Sequence, residues 1–425
     1  MIKSFDQARV VSIDKNKGRV TLFTKNGLVS VGTYLHDIND LREGMTVLIG
    51  DLEGSKVILD KVSANPKTSN GMSLAFTNSY FTFNIDTTLL LGTPSFILPL
   101  VPEGEYAFYV YWGDGSSNYI TSHTSPHKEH IYTVGGEYTI KIKGIIKGWN
   151  FYDIYFNEGD NRLFTLTRIT NWGCFSFANS WGHFGYCVGL QITATDIPDL
   201  SEATSLLESF EHCYEIVTVP NMDKWDVSNV TNMRYTFANC IAFNTNINDW
   251  DVSNVTDMRG MFNEAHAFNQ PLNNWDVSNV TDMRGMFNEA HAFNQPLNNW
   301  DVSNVTDMSA MFGVAYAFNQ PLISWNTSNV TNMFYMFAYS AFDQDIGAWN
   351  ISNVTDMRYM FTSGHLSDEN YKNLLAGWYS QNVRYGVVFD AGSAQYGGYY
   401  ASYHRQTLIN KGWTITDGGW DGVEW

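Results

Sequence analysis

Residues 250–274 read WDVSNVTDMRGMFNEAHAFNQPLNN, and residues 275–299 read the same, letter for letter. A chain that prints one short phrase at a fixed period is confined to repeat architectures. A unit of that size cannot bury its apolar side alone, and stacking on neighbours does it. Aligned on tryptophan, Trp225, Trp250, Trp275, Trp300 and Trp325 stand 25 residues apart, and Trp349 follows at 24. Twelve residues after each comes Phe237, Phe262, Phe287, Phe312, Phe337 and Phe361. The same ruler pairs Phe210 with Pro198 and Phe184 with Trp172, which makes eight coils, the first two degenerate.

Other columns follow the same period. Three residues past each Phe sits a small side chain: Cys187, Cys213, Cys240, Ala265, Ala290, Ala315, Ser340 and Gly364. A column restricted to small residues must face a crowded interior. A large apolar column follows it: Leu190, Ile216, Phe243, Phe268, Phe293, Phe318 and Phe342. Within one coil, Val255, Met258, Met261, Phe262 and Ala265 fall at helical spacing, with Thr256 and Asp257 suited to the helix start. The segment PLNNWDV reads as extended, with Leu272 and Trp275 inward. Each coil is therefore predicted to be a short strand plus a short helix or turn. Coils stacked at strand spacing of about 4.8 Å would span about 40 Å. The recurring Asn229, Asn254, Asn279, Asn304, Asn329 and Asn353 read as a buried ladder tying coil to coil.

The flanks read differently. Residues 1–62 carry five short strands, at 8–14, 19–24, 28–35, 46–52 and 56–62, which predict a small OB- or SH3-like barrel. Residues 63–71, SANPKTSNG, form a turn-rich linker. Residues 72–165 read as a second all-β domain. In it EHIYTVGGEYTIKIKG is a hairpin bent at Gly135-Gly136, with Tyr138, Ile140 and Ile142 on one face. The array spans 166–365, and 366–425 read as a cap. There Ser367 starts a helix carrying Tyr371, Leu374, Leu375 and Trp378, and a second helix near 397–410 and the strand GWTIT close the last coil.

The repeats WNTSNVTNMFYMF and WNISNVTDMRYMF strongly resemble those of the BspA-like leucine-rich-repeat surface proteins. Trp112-Gly113-Asp114-Gly115, followed by His130-Ile131-Tyr132 and a Gly-x-Tyr-x-Ile strand, resembles the PKD domain, an immunoglobulin-like sandwich. LREGMTVLIG resembles a piece of OB-type barrels in phage tail and spike proteins. These resemblances imply a mainly β chain with short helices: small barrel, PKD-like sandwich, leucine-rich-repeat-type solenoid of about eight coils, helical cap. Bacterial BspA-like members often begin with such a WGDG unit and end with such a cap, so residues 72–419 follow the family's order. Many members also carry a signal peptide and a surface anchor, and this sequence shows neither.

Composition narrows the chemistry. A formal net charge of -18 repels nucleic acid and anionic membranes. No stretch is long and apolar enough to span a bilayer; 88–101 is short and broken by Gly and Pro. The sequence holds no GxSxG, P-loop, HExxH, EF-hand or CxxC pattern. Cys187, Cys213 and Cys240 read as buried thiols in small slots, and Asp114 as a turn residue, with a calcium or sugar role as its rival reading. Repetition argues against catalysis, because an active site needs one asymmetric constellation. No catalytic residue, cofactor or metal ligand is therefore assigned. The candidate ligand-binding residues are those whose columns are free to face outward: Tyr235, Arg259, Glu264, His266, Arg284, Glu289, His291, Tyr316, Tyr335 and Tyr359.

The expectation is a non-enzymatic recognition or adhesion protein. Residues 1–62 would mount it on a virion or surface-apparatus protein, and the solenoid would contact host glycan or protein, with no nucleic acid and no membrane insertion. The absent export signal and the spike-like segment favour a phage tail tip, fibre or capsid decoration, for which a homotrimer is one available assembly. The alternative is a bacterial cell-surface or injection-system adhesin, and a glycan hydrolase working on the acidic face is the third reading.

Overall fold

The structure, a computed structural model, describes the backbone of six strands within residues 5–62, and residues 80–90, 92–153, 164–178, 180–364 and 366–422. The chain divides into two compact units, Met1–Thr77 and Asn78–Trp425. The linker expected at 63–71 lies outside the described residues.

In the first unit, β1 (Phe5–Asp14), β2 (Arg19–Thr24), β3 (Gly27–Val31), β4 (Thr33–Tyr34), β5 (Thr46–Leu52) and β6 (Ser55–Val62) form one sheet, ordered β3-β2-β1-β5-β6-β4. The strand expected at 28–35 is split. Its first half pairs with β2, and residues 33 and 34 pair with β6, at the other end of the order, through Thr33↔Val57 and Tyr34↔Ile58. Closure would require the edge strands to pair. Among the described residues no ladder joins β3 to β4, so pairing does not close the expected barrel, although the two ends of the order are adjacent in the chain at Val31 and Thr33.

The second unit opens with β7 (Phe81–Asp86), β8 (Ser95–Ile97), β9 (Leu100–Tyr111), β10 (Ser117–Ile120), β11 (Glu129–Ile131) and β12 (Glu137–Trp149). Period-two alternation sets its core: Phe81, Phe83, Ile85, Phe108, Val110, Ile140 and Ile142 are fully buried. The hairpin expected across Gly135-Gly136 does not form. β11 pairs with β8, whereas β12 pairs with β7 and β9, so the two segments belong to different sheets. The Gly136 carbonyl accepts instead from the Thr87 amide at 3.0 Å. The turn Trp112–Gly115 holds the edges together. Gly113 and Gly115 adopt φ of 88° and 93°, which favours glycine. Asp114 accepts from the Ser116 amide (2.9 Å) and hydroxyl (2.6 Å) and lies 2.8 Å from His130 Nε2. Partial burial works to raise its pKa, but these bonds and the His130 charge outweigh it and bring the carboxyl down to about 2.

The sheet then passes into the array. β13 (Leu166–Asn171) pairs antiparallel with β7 and parallel with β15 (Gln191–Ile192), while β14 (Phe175–Ser176) pairs parallel with β12. From there parallel bridges continue from coil to coil: Ser205↔Asn232, Asn232↔Asp257, Asp257↔Asp282, Asp282↔Asp307, Asp307↔Asn332 and Asn332↔Asp356. The bridged column is the Asp/Asn of VT(D/N)M and not the segment PLNNWDV, although Leu272 and Trp275 are buried as expected.

Of the short helix or turn expected over VTDMRGMFNEA, the turn is what forms. Val255, Met258, Met261, Phe262 and Ala265 are all fully buried, so the inward set matches the helical spacing. The backbone follows another path. The amides of Met258, Gly260, Phe262 and Glu264 donate to Asp282, Arg284, Met286 and Asn288 of the next coil, at 3.1, 2.9, 2.9 and 2.8 Å. The amides between them close short turns, such as Met261 to Met258 at 3.2 Å. Gly260 and Glu264 are left-handed (φ 56° and 57°), which interrupts any right-handed helix. Thr256 and Asp257 accordingly cap nothing. The Thr256 hydroxyl donates to the Thr231 carbonyl (3.3 Å), and Asp257 accepts from the Arg259 amide (3.0 Å).

Side chains tie the stack. Asn254, Asn279, Asn304 and Asn329 each donate to a Ser carbonyl one coil back, at 2.7–2.8 Å. This ladder lies at the surface, not buried as expected. Trp275, Trp300, Trp325 and Trp349 donate Nε1–H to Ile247, Leu272, Leu297 and Leu322 at 2.9–3.0 Å. All four cysteines are free, and Cys213 and Cys240 lie 3.1 and 2.9 Å from the Phe184 and Phe210 carbonyls as S–H donors. Past the last coil come α1 (Asp368–Trp378), β16 (Val388–Asp390), α2 (Gly398–Asn410) and β17 (Thr414–Thr416), with β16 and β17 parallel. Ser367 begins α1, and Tyr371, Leu374, Leu375 and Trp378 are fully buried, as the sequence predicts.

Candidate functional site

The run of alternating turns presents one outward face, on which the candidate residues fall. Its central column is Tyr235, Gly260, Gly285, Ala310, Tyr335 and Tyr359, all left-handed, with φ between 52° and 61°. Such a conformation is uncommon outside glycine and signals a backbone held by its surroundings. The Tyr235 ring lies against Gly260: a Cβ there would stand 2.0 Å from Tyr235 Cε1. The Tyr335 ring lies against Gly313 in the same manner, at 2.9 Å. A Cβ on Gly285 would meet nothing nearer than Asn288 Cβ, at 3.9 Å. The face is thus open over Gly285, with the Tyr235 ring on the coil before it and the Tyr335 ring on the coil after it. Tyr359, more than half exposed, extends the column beyond.

The arginine column is unevenly committed. Arg259 Nε sits 2.9 Å from both Asp257 oxygens, its Nη2 also bonds Asp257, and Asp282 lies at 3.5 Å. Arg284 is half exposed and only 3.6 Å from Asp282, which leaves its guanidinium the freer of the two. Beside them run Glu264 and Glu289, both left-handed, and the stacked rings of His266, His291 and Tyr316. The imidazoles are 4.2 Å apart and 10° from parallel; His291 and Tyr316 are 4.6 Å apart. Burial, and then the neighbouring His266, lower the His291 pKa against the opposing pull of Glu289. No metal ligands are expected from the sequence, yet the donor atoms of His266, Glu289 and His291 all lie within 4.8 Å of one another.

A second group was not singled out by the sequence. In the second degenerate coil Glu208, Glu211 and His212 gather, with Arg234 of the next coil, beside Tyr152 and Tyr186. Burial, then the charge of Glu208, push Glu211 up to about 7, with Arg234 pulling the other way. Burial brings His212 down to about 4. Glu211 Oε2, His212 Nδ1 and Arg234 Nε are buried without a hydrogen-bond partner among the described residues. Alignment on Phe210 and Phe237 would have placed Glu208 and His212 at the left-handed positions of Tyr235 and Asn239, on the same face.

One Ser–His contact calls for a chemical reading. Buried His183 lies 2.9 Å from Ser180 Oγ and 2.7 Å from the Phe177 carbonyl through Nε2, and 2.9 Å from Ser209 Oγ through Nδ1. A carbonyl only accepts, so Nε2 carries the proton and Nδ1 accepts a hydrogen bond from the Ser209 hydroxyl. Nε2 is then no base toward Ser180, and the triple is a structural tie.

Among the described residues no helix is long and apolar enough to cross a membrane. The chain is a mainly β repeat protein. Residues 204–322 and 297–386 match the family described as Mycoplasma protein of unknown function, DUF285, a family of BspA-like repeats. No curated protein and no solved structure matches the chain.

Proposed function

We propose that the chain is a non-enzymatic surface-recognition protein. In this reading 72–165 is a PKD-like sandwich, 166–365 a BspA-like leucine-rich-repeat solenoid, and 366–425 its C-terminal cap. The first unit mounts the molecule, and the solenoid's outward face contacts host glycan or protein. The observation that carries the reading is the open space over Gly285, with the Tyr235 and Tyr335 rings on the coils to either side and the loosely paired Arg284 next to it in the chain. Tyrosine and arginine supply most binding energy at protein surfaces, and aromatic faces stack on sugars.

The test is binding of the full chain to host cells and to their extracted surface polysaccharide. Tyr335→Ala and Arg284→Ala should each weaken binding about tenfold or more. Undiminished binding by both variants removes the face from the proposal, and release of reducing ends from the polysaccharide would make the protein a hydrolase.

Two carriers fit this function. A phage virion is supported by the resemblance of LREGMTVLIG to tail and spike barrels. A bacterial cell surface is favoured by the match to a family described from Mycoplasma. Detecting the chain in purified virions or in the surface fraction of cells separates them.

A further inference from the structure

The geometry points to a divalent transition-metal site built by His266, His291 and Glu289 at the junction of the two identical coils, a role that goes beyond surface recognition. The site follows from duplication. The histidine column runs Ile241, His266, His291, Tyr316, and the glutamate column runs Asn239, Glu264, Glu289, Val314. Only where the phrase meets its own copy do two imidazoles become neighbours with a carboxylate beside them.

The backbone under the pair is fixed. Ala267 donates to the Ile241 carbonyl and Ala292 to the His266 carbonyl, both at 3.1 Å. All three side chains are half-buried, and their donor atoms lie within 4.8 Å of one another. Two nitrogens on one tetrahedral zinc stand about 3.3 Å apart, given bonds of about 2.0 Å. The donors must therefore close by about 1.5 Å at most. The rings are near parallel at 4.2 Å, so their lone pairs run side by side. Turning one imidazole out of the stack aims both at a single point. Two imidazoles and one carboxylate suit Zn(II), Cu(II) or Ni(II), and not Mg(II) or Ca(II), which take oxygen ligands. Three protein ligands leave one position for water.

The experiment is calorimetric titration of Zn(II) into the full chain in chelator-treated buffer, repeated with Co(II) while its visible absorption is followed. The wild type should show one saturable site per chain. His266→Gln with His291→Gln should abolish it, and Glu289→Gln should weaken it roughly 10- to 100-fold, since even outer-shell changes cost that much. All variants should keep the far-ultraviolet circular dichroism of the wild type, because the same columns hold Ile241, Tyr316, Asn239 and Val314 in neighbouring coils. Equal binding by the double variant, or no saturable binding by the wild type up to about 1 mM Zn(II), overturns the proposal. In the second case the stacked rings are packing alone.

Discussion

The exact coils and the degenerate coils before them share one plan but settle their polar atoms differently. From Trp250 to Trp349 every repeat indole donates to a carbonyl one coil back. Trp172 and Trp225 do not. All seven buried side-chain polar atoms without a partner lie between Trp149 and Arg234, and none lies later among the described residues. A neighbour of the same sequence supplies the acceptor at the same place each time. Where the Phe-to-Phe spacing becomes 26 and then 27 residues and the letters change, that acceptor is missing. Repetition therefore satisfies polar groups as well as filling the core. The unmet atoms lie in the degenerate coils and immediately on either side of them, which makes that end of the array the place for titratable chemistry.

The largest effect should come from the shared core. Phe287→Ala removes a ring stacked on Phe262, Phe293 and Phe312. It should cost about 3–5 kcal/mol in denaturant unfolding, and a loss under 1 kcal/mol would mean the stack does not hold these coils. Next, Trp300→Phe and Trp225→Phe delete similar ring volume, but the first loses a hydrogen bond to the Leu272 carbonyl, which the Trp275 amide still satisfies, whereas the second removes a donor buried without a partner among the described residues. Trp300→Phe should therefore be the more destabilising by about 1–3 kcal/mol, and equal losses would break the comparison. The third prediction concerns pH. Glu211 has an ordinary value of 4.5 and stands at about 7 in the folded chain. Between these values the folded protein keeps a proton that the unfolded chain has released. Its contribution is whole below 4.5 and is lost as pH rises through about 7. Glu211→Gln should flatten that slope, read as unfolding midpoints on either side of the window. The smallest effect belongs to the surface ladder: Asn279→Ala should cost about 0.5–1.5 kcal/mol.

The period, the inward columns and the C-terminal helices were legible because burial selects side chains directly. The backbone of the coil was not. Val255, Met258, Phe262 and Ala265 satisfy helical spacing, but the partners of their amides lie in the next coil, beyond the reach of local pattern. Gly135-Gly136 likewise reads as a hairpin bend, whereas Thr87, far away in sequence, claims the Gly136 carbonyl. The split of β3 from β4 was marked by Gly32, since an isolated glycine inside a strand pattern signals a bend or bulge. In the site, repeated letters drew attention to the arginine, glutamate and histidine columns. Glu208, Glu211 and His212 were hidden because their coils had lost the letters that index the face.

The direction of the ladders carries a consequence for synthesis. Asn279, Thr281 and Trp300 all give their side-chain protons to carbonyls made earlier. The backbone amides of Met258, Gly260 and Phe262 wait for carbonyls made later. A chain emerging from the ribosome N-terminus first can thus anchor each new coil on finished structure, while its leading edge stays open to the next. That edge is sealed where the Phe361 amide donates to the Asp390 carbonyl of β16, at 3.1 Å. The molecule is assembled like a zip with a stop at one end, and its translation order is its docking order.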